Sequence, residues 1–231
     1  VIDFGDRTIM PGFIDSHTHT GNFMEMADTD YCVDVSGAKS FAEVMDTIRA
    51  FGERSSNELL YAINFKLFDL EEEVSVDADR IDSYLDDRPV IIMTWDCHTW
   101  YANSAAVKAS GADAGLNGVF NDTESYPLQV LLVRPLEERK KSLSLFLSKL
   151  NKTGITTVGD VFPCGITEPY TLYKAMDEDG LLTARICFYP SLLDNGKDEI
   201  ESFMKEYDSD LLKFSGLKAI LDGVLTVHTA W

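Results

Sequence analysis

Apolar positions along the chain follow two spacings, and the change from one to the other marks out its elements. Ile9, Met10, Phe13 and Ile14 form a run that reads as buried strand, bent at Pro11-Gly12. Residues 22–39 are polar and irregular and read as loop. Ser40-Phe-Ala-Glu43 has the Ser-x-x-Glu spacing of a capping box, and Phe41, Val44, Ile48 and Phe51 follow at helical spacing. "LLYAINF" (59–65) predicts a strand, and residues 78–87 a helix around Ile81, Tyr84 and Leu85. "PVIIMTW" (89–95) is apolar and β-branched enough for a strand buried on both faces. Asn103 is placed to cap a short helix, "SAAVKAS", that stops at Gly111, and residues 112–135, rich in Gly, Asn and Asp, read as loop and hairpin.

From Leu136 the alternation becomes regular. An amphipathic helix runs to about residue 151, with Leu143, Leu145, Phe146, Leu147 and Leu150 apolar and Gly154 past its end. A strand at 155–161, a helix at 168–179, a strand at 182–189, a helix at 197–207 and a strand at 214–221 follow. Strand-helix-strand repetition with short links predicts an α/β fold, parallel strands with helices packed outside. Between the opening strand and the long helix, residues 22–135 break this rhythm and read as an insertion.

Composition narrows the function. With 231 residues, 45% hydrophobic and 26% charged, the chain is an ordinary globular one. A net charge of −19 argues against nucleic acid or an anionic membrane as partner, since both require clustered Lys and Arg. Cys32, Cys97, Cys164 and Cys187 lie far apart with no C-x-x-C pair, so a reducing cytoplasm is expected rather than a disulfide framework. No apolar run approaches the roughly 20 residues needed to span a bilayer, and Asp3, Asp6 and Arg7 oppose a signal peptide. The chain opens at Val1 within apparent strand and closes at Trp231, which reads as an excerpt of a longer protein.

The candidate chemistry begins where the opening strand runs out, in "IMPGFIDSHTHTG" (9–21). Side chains alternate across a strand, so His17 and His19 point to the same side. Two imidazoles so placed suit one divalent ion, zinc first. Asp160 ends the strand at 155–161, where a carboxylate either faces a site or satisfies turn backbone.

The sequence also carries a family resemblance. "RTIMPGFIDSHTH" (7–19) resembles the start of the metal-dependent amidohydrolase superfamily. "RPVIIMTWDCHTWYANSAAV" (88–107) resembles the D-G-H-x-x-W-x-N-S-A-A-L segment of its family 3, YtcJ-like branch, which includes deformylases of N-substituted formamides. "GITTVGD" (154–160) and "LKAILDGVLTVHTA" (217–230) fit the same branch, and Cys97 departs from it where glycine is usual. The resemblance implies a partial (β/α)8 TIM-type barrel of about four strands. Residues 1–10 would end a small β-sandwich, 11–21 hold barrel strand one, 22–135 form an inserted α+β subdomain over the barrel mouth, and 136–231 hold strands two to four.

The same resemblance implies the site. His17, His19 and Lys218 become metal ligands, Lys218 as a CO₂-derived carbamate on strand four bridging two ions. His98, Asp96, Trp100 and His228 become substrate contacts, although Trp100 and Asn103 also fit a purely local role as wedge and cap. Hydrolysis of an amide-type C–N bond by metal-activated water is the implied reaction, on a small-molecule substrate. The family's remaining ligands and its acid–base aspartate come from strands five, six and eight, which this chain does not reach. The chain alone is therefore expected to be inactive and to bind metal weakly or not at all, the one or two ions belonging to the full-length protein, with open half-barrel edges favouring self-association as a homo-oligomer. Ester or cyclic imide substrates, and a non-catalytic binding or regulatory module of the same fold, stay open as alternatives.

Overall fold

The computed structural model of the chain describes residues 2–161, 169–192 and 195–219. In chain order the regular elements are β1 (Phe13–Thr18), α1 (Thr20–Met26), β2 (Cys32–Asp34), α2 (Phe41–Arg54), β3 (Leu60–Phe65), α3 (Ala78–Asp82), β4 (Val90–Thr94), β5 (Thr99–Ala102) and α4 (Ser104–Ser110). They continue with β6 (Val119–Asn121), α5 (Tyr126–Val130), α6 (Leu136–Lys152), β7 (Ile155–Val161), α7 (Pro169–Glu178), β8 (Arg185–Tyr189), α8 (Lys197–Glu206) and β9 (Leu212–Phe214). The described residues divide into two compact units. One comprises 2–24, 140–161, 169–192 and 195–219; the other comprises 25–139.

The first unit is built on a four-stranded sheet ordered β1-β7-β8-β9, every neighbouring pair parallel. Its packing is concentrated where Leu212 and Phe214 fall opposite Ile186 and Phe188. Phe188 contacts the rings of Tyr170, Phe203, Tyr207 and Phe214 at centroid separations of 5.2 to 6.0 Å, so α7 and α8 are fixed to the strands by one aromatic cluster. The last strand starts earlier than the apolar pattern predicts, at 212 rather than 214. Gly216, at φ +148°, then interrupts the ladder, and pairing resumes only at Lys218, opposite Ser191. Residues 220 and 221 lie outside the described residues.

A second departure concerns the opening run. Residues 2–12 hold no strand, and Ile9 and Ile14 are 68% and 69% exposed. Among the described residues β1 is an edge strand paired with β7 alone, and its Phe13 and Ile14 side chains stay exposed.

The second unit has a five-stranded sheet ordered β2-β3-β4-β5-β6, the first three parallel and the rest antiparallel. Its strands are buried on both faces, and alternation sorts them. Leu60, Ala62, Val90 and Ile92 pack with Phe41, Val44, Ile48 and Phe51 of α2, whereas Tyr61, Ile63, Ile91 and Met93 pack with Ala106, Val107 and Leu128 of α4 and α5. The expected cap of α2 forms, with Ser40 Oγ accepting from the Glu43 N–H; the Glu43 carboxylate reaches one residue further back, to the Lys39 N–H. Residues 22–39, which read as loop, hold β2 and most of α1, and "TWYA" forms the antiparallel β5.

Asn103 ties these pieces together. Fully buried, it accepts at Oδ1 from the N–H groups of Ala106 (3.0 Å) and Val90 (2.9 Å) and donates from Nδ2 to the carbonyls of Leu85 (3.1 Å) and Arg88 (2.9 Å). One amide thus caps α4 and closes the entry to β4, with Gly111 ending the helix at φ +69°. Asn103→Ala should cost about 3 kcal/mol, because the cap is lost and three further backbone groups, the Val90 N–H and the Leu85 and Arg88 carbonyls, lose their partner. Urea denaturation of both proteins measures this; a loss under about 1 kcal/mol would show that Asn103 is only a helix cap.

Candidate metal centre

The end of β1 is shaped by a bulge. Between Asp15 and Thr18 the strand advances three residues while β7 advances two, from Val158 to Asp160. A Cβ at Gly159 would sit 2.6 Å from the Ser16 carbonyl oxygen, so only glycine lets the bulged strand pass this close. Beyond the bulge the alternation persists: Thr18 and Thr20 are buried, while His17 is exposed and His19 half-buried. The two imidazoles are thereby brought together, ring centroids 5.4 Å apart and planes at 78°. Two imidazoles on one tetrahedral ion, with metal–nitrogen distances of about 2.1 Å, place their centroids roughly 5 Å apart. The spacing of the two rings is the one that a shared ion would require. Among the described residues no cluster of three or more His, Cys, Asp or Glu side chains is assembled that would complete the coordination.

The loop that holds His19 is anchored by Asp160. This carboxylate, fully buried at the end of β7, accepts from the Thr20 N–H in the first turn of α1 at 2.8 Å and from the Tyr173 hydroxyl on α7 at 2.6 Å. Burial pushes its pKa up to about 6, against which the two hydrogen bonds act only in part. Burial and the adjoining carboxylate raise the Tyr173 phenol as well, so it remains a donor. Asp160 stood out in the sequence as a strand-end carboxylate. Tyr173 did not, because its pairing depends on α7 folding back against β7.

Lys218 lies on the edge of the sheet opposite β1, its side chain half-buried. Its backbone N–H donates to the Pro190 carbonyl (2.9 Å) and its carbonyl accepts from Leu192 (2.7 Å). His17 and Asp160 are the next-to-last residues of β1 and β7, and His19, Ser191 and Lys218 follow β1, β8 and β9, so all five lie toward the C-terminal edge of the parallel sheet, the edge on which α/β proteins build sites. His228 lies outside the described residues.

His98, Asp96 and Trp100 belong to the second unit, within and after the turn that joins β4 to β5. Asp96 is used locally: one carboxylate oxygen accepts from the Thr94 hydroxyl (2.6 Å) and the His98 N–H (3.2 Å). Trp100 is a core residue, stacked on Tyr61 at 6.0 Å with its indole N–H donated to the Cys97 carbonyl. His98 Nδ1 lies 2.6 Å from an Asp122 carboxylate oxygen. Asp122 carried no signal in the sequence, since 24 residues separate it from its partner.

The family model of the amidohydrolase family matches residues 1–231. The chain is 22% identical to the exoenzymes regulatory protein AepA of Pectobacterium carotovorum, covering 99% of this chain and 55% of that protein. It is 24% identical to the N-substituted formamide deformylase of Arthrobacter pascens, covering 96% of this chain and 46% of that protein. The chain therefore spans about half the length of these relatives. In fold it is similar to an uncharacterized metal-dependent hydrolase from Pyrococcus horikoshii OT3 (TM-score 0.70, 17% identity, 94% of this chain and 44% of that one). A second such hydrolase, from Pyrococcus furiosus, is likewise similar (TM-score 0.66, 17% identity, 94% and 45%).

Asp160 gives this centre a pH signature. Its carboxyl titrates at about 6 in the folded chain against 3.8 unfolded, so between those values the native state holds a proton that the unfolded state has released. Stability should therefore fall as pH rises through that window, by about 3 kcal/mol in all, and be highest in this respect at its acid end. Asp160→Asn keeps an acceptor for Thr20 and a group that pairs with the Tyr173 hydroxyl, but cannot ionise. Denaturation across pH 4 to 7, wild type minus variant, should show the slope; parallel curves would mean that Asp160 does not titrate there.

Proposed function

The chain belongs to the amidohydrolase family, and on that premise we propose that it supplies the first half of the active site of a metal-dependent hydrolase acting on amide-type C–N bonds. The carrying observation is the His17–His19 pair, two imidazoles at 5.4 Å on the C-terminal edge of a parallel sheet. In this reading β1, β7, β8 and β9 are the first strands of a (β/α)8 barrel, and residues 22–135 are an insertion within it.

Zinc is the proposed ion, on the strength of two imidazole donors. When bound, it supplies Lewis acidity toward a substrate carbonyl and lowers the pKa of water. The chain's own residues then have distinct tasks. His17 and His19 hold the ion as neutral ligands. Asp160 fixes the backbone that follows His19, through the Thr20 N–H. Lys218, as a carbamate, exchanges a cation for a carboxylate-like donor. His98 contacts the substrate. The other ligands, and the aspartate that carries the proton to the leaving amine, are assigned to the half of the relatives' length that this chain does not span. An uncharged amide is the proposed substrate, supported by the likeness to a deformylase of N-substituted formamides. A binding module without catalysis is the second reading, supported by the likeness to a regulatory protein.

The test uses the whole protein to which the chain belongs. Elemental mass spectrometry should find one or two divalent ions per molecule, and an N-substituted formamide should be cleaved to formate and amine. His17→Ala with His19→Ala should release metal and lower the rate by about a thousandfold. Undiminished hydrolysis without metal, or full metal content in the double variant, would overturn the proposal. A metal-free, inactive protein would leave the binding module as the reading.

A further inference from the structure

Asn-Gly occurs twice in the chain, at 117–118 and 195–196. In this dipeptide the glycine nitrogen can attack the preceding side-chain amide most freely, because no side chain stands beside the nucleophile. The fold treats the two copies differently. Asn117 and Gly118 form the turn before β6, at φ +46° and +77°. Both carbonyls are engaged, that of Asn117 by the Ala78 N–H and that of Gly118 by the Ala102 N–H, each at 2.9 Å. A Cβ at Gly118 would lie 2.3 Å from the Ala102 carbonyl oxygen and 2.8 Å from the Ala78 side chain, so the backbone there has no room to rotate.

Gly196 is open. It is exposed at the start of α8, and nothing lies within 4 Å of the position a Cβ would take. Its carbonyl accepts from the Ile200 N–H at 3.0 Å, whereas its own N–H makes no hydrogen bond among the described residues. Asn195 is half-buried, and its Nδ2 donates to the Ser191 carbonyl at 2.8 Å. Ser191 in turn pairs with Lys218, whose N–H donates to the Pro190 carbonyl (2.9 Å) and whose carbonyl accepts from the Leu192 N–H (2.7 Å). One side-chain amide thus ties the start of α8 to the segment that pairs with Lys218.

We propose that Asn195 is a site of spontaneous deamidation and that the reaction releases this tie. The Gly196 nitrogen, losing its proton to solvent base, bonds to Asn195 Cγ; the bond from Cγ to Nδ2 breaks and ammonia leaves, closing a succinimide ring. Water then opens the ring at either carbonyl. The product is aspartate or, with the main chain rerouted through the side-chain carbon, isoaspartate. Both carry a carboxylate, which accepts hydrogen bonds and donates none. The bond to the Ser191 carbonyl is then lost, and two acceptors are left facing each other. The consequence for an ion at Lys218 rests on the function proposed above; the modification itself does not.

The purified chain is aged at mildly alkaline pH, and the tryptic peptides that contain Asn117 and Asn195 are followed by mass spectrometry, with isoaspartate scored by its specific enzymatic methylation. Conversion at Asn195 should run at least about tenfold faster than at Asn117 in the folded chain. The two rates should converge in urea, where sequence alone decides. Equal rates in the folded chain, faster conversion at Asn117, or a preference that survives undiminished in urea would each overturn the site. The tie is read by hydrogen exchange at the Leu192 and Lys218 amides, in the aged chain and in Asn195→Asp. In both, these amides should exchange at least about tenfold faster than in the fresh chain; unchanged exchange would overturn the release. Neither measurement involves metal or turnover, so their failure leaves the proposed function standing, and its failure leaves the modification standing.

Discussion

The buried carboxylate of Asp160 is the constraint on which the first unit's site depends. The aromatic packing of Phe188, Phe203 and Tyr207 holds helices to the sheet, but apolar packing has little direction and sets no loop to within an ångström. A carboxylate shut away from water must be met by donors, and each such bond contributes on the order of 1.5–3 kcal/mol while fixing a distance and an angle. Asp160 finds its donors on α1 and α7, so strand end, following helix and returning helix are drawn to one point. His19 is the residue immediately before the anchored Thr20 N–H. The placement of one imidazole is thus decided by a group 140 residues away from its neighbour in the chain.

That distance in sequence explains what was legible beforehand. Elements long enough to show a period read correctly: α2, α6, β3, β4 and β7 match their expected positions within a residue or two. β2 and β6 are three residues each and β5 four, too short for alternation to rise above noise, and they exist because longer strands offer them a ladder. The run at residues 9–14 misled for a related reason, since apolar character records a tendency to be buried and not the presence of a cover. For the site, the His-x-His pair was legible because strand alternation is local. Tyr173 and Asp122 were not, because a side-chain pairing across 13 or 24 residues leaves no spacing to read.

The two units use one architectural rule twice. In each, consecutive parallel strands connected through helices leave loops at their C-terminal ends, and polar side chains gather there. The outcome differs with the donors. In the reading proposed above, His17 and His19 offer two nitrogens to one ion. His98 instead meets Asp122 through one of its nitrogens.

Packing does not account for a histidine at position 17. An edge-to-face pair of rings is worth about 0.5–1.5 kcal/mol, and most of that depends on burial. His17 is exposed, its backbone N–H is satisfied by Asp15, and the interior positions of the same stretch are filled by Thr18 and Thr20. Packing alone would accept many residues there. Coordination would not, because a second imidazole on the same side of the strand is what turns one weak nitrogen ligand into a chelating pair. A pair still leaves a tetrahedral ion half-dressed, and no cluster of three or more His, Cys, Asp or Glu completes it among the described residues. To such a centre, on the reading proposed above, the chain contributes a strand end held in shape by Asp160.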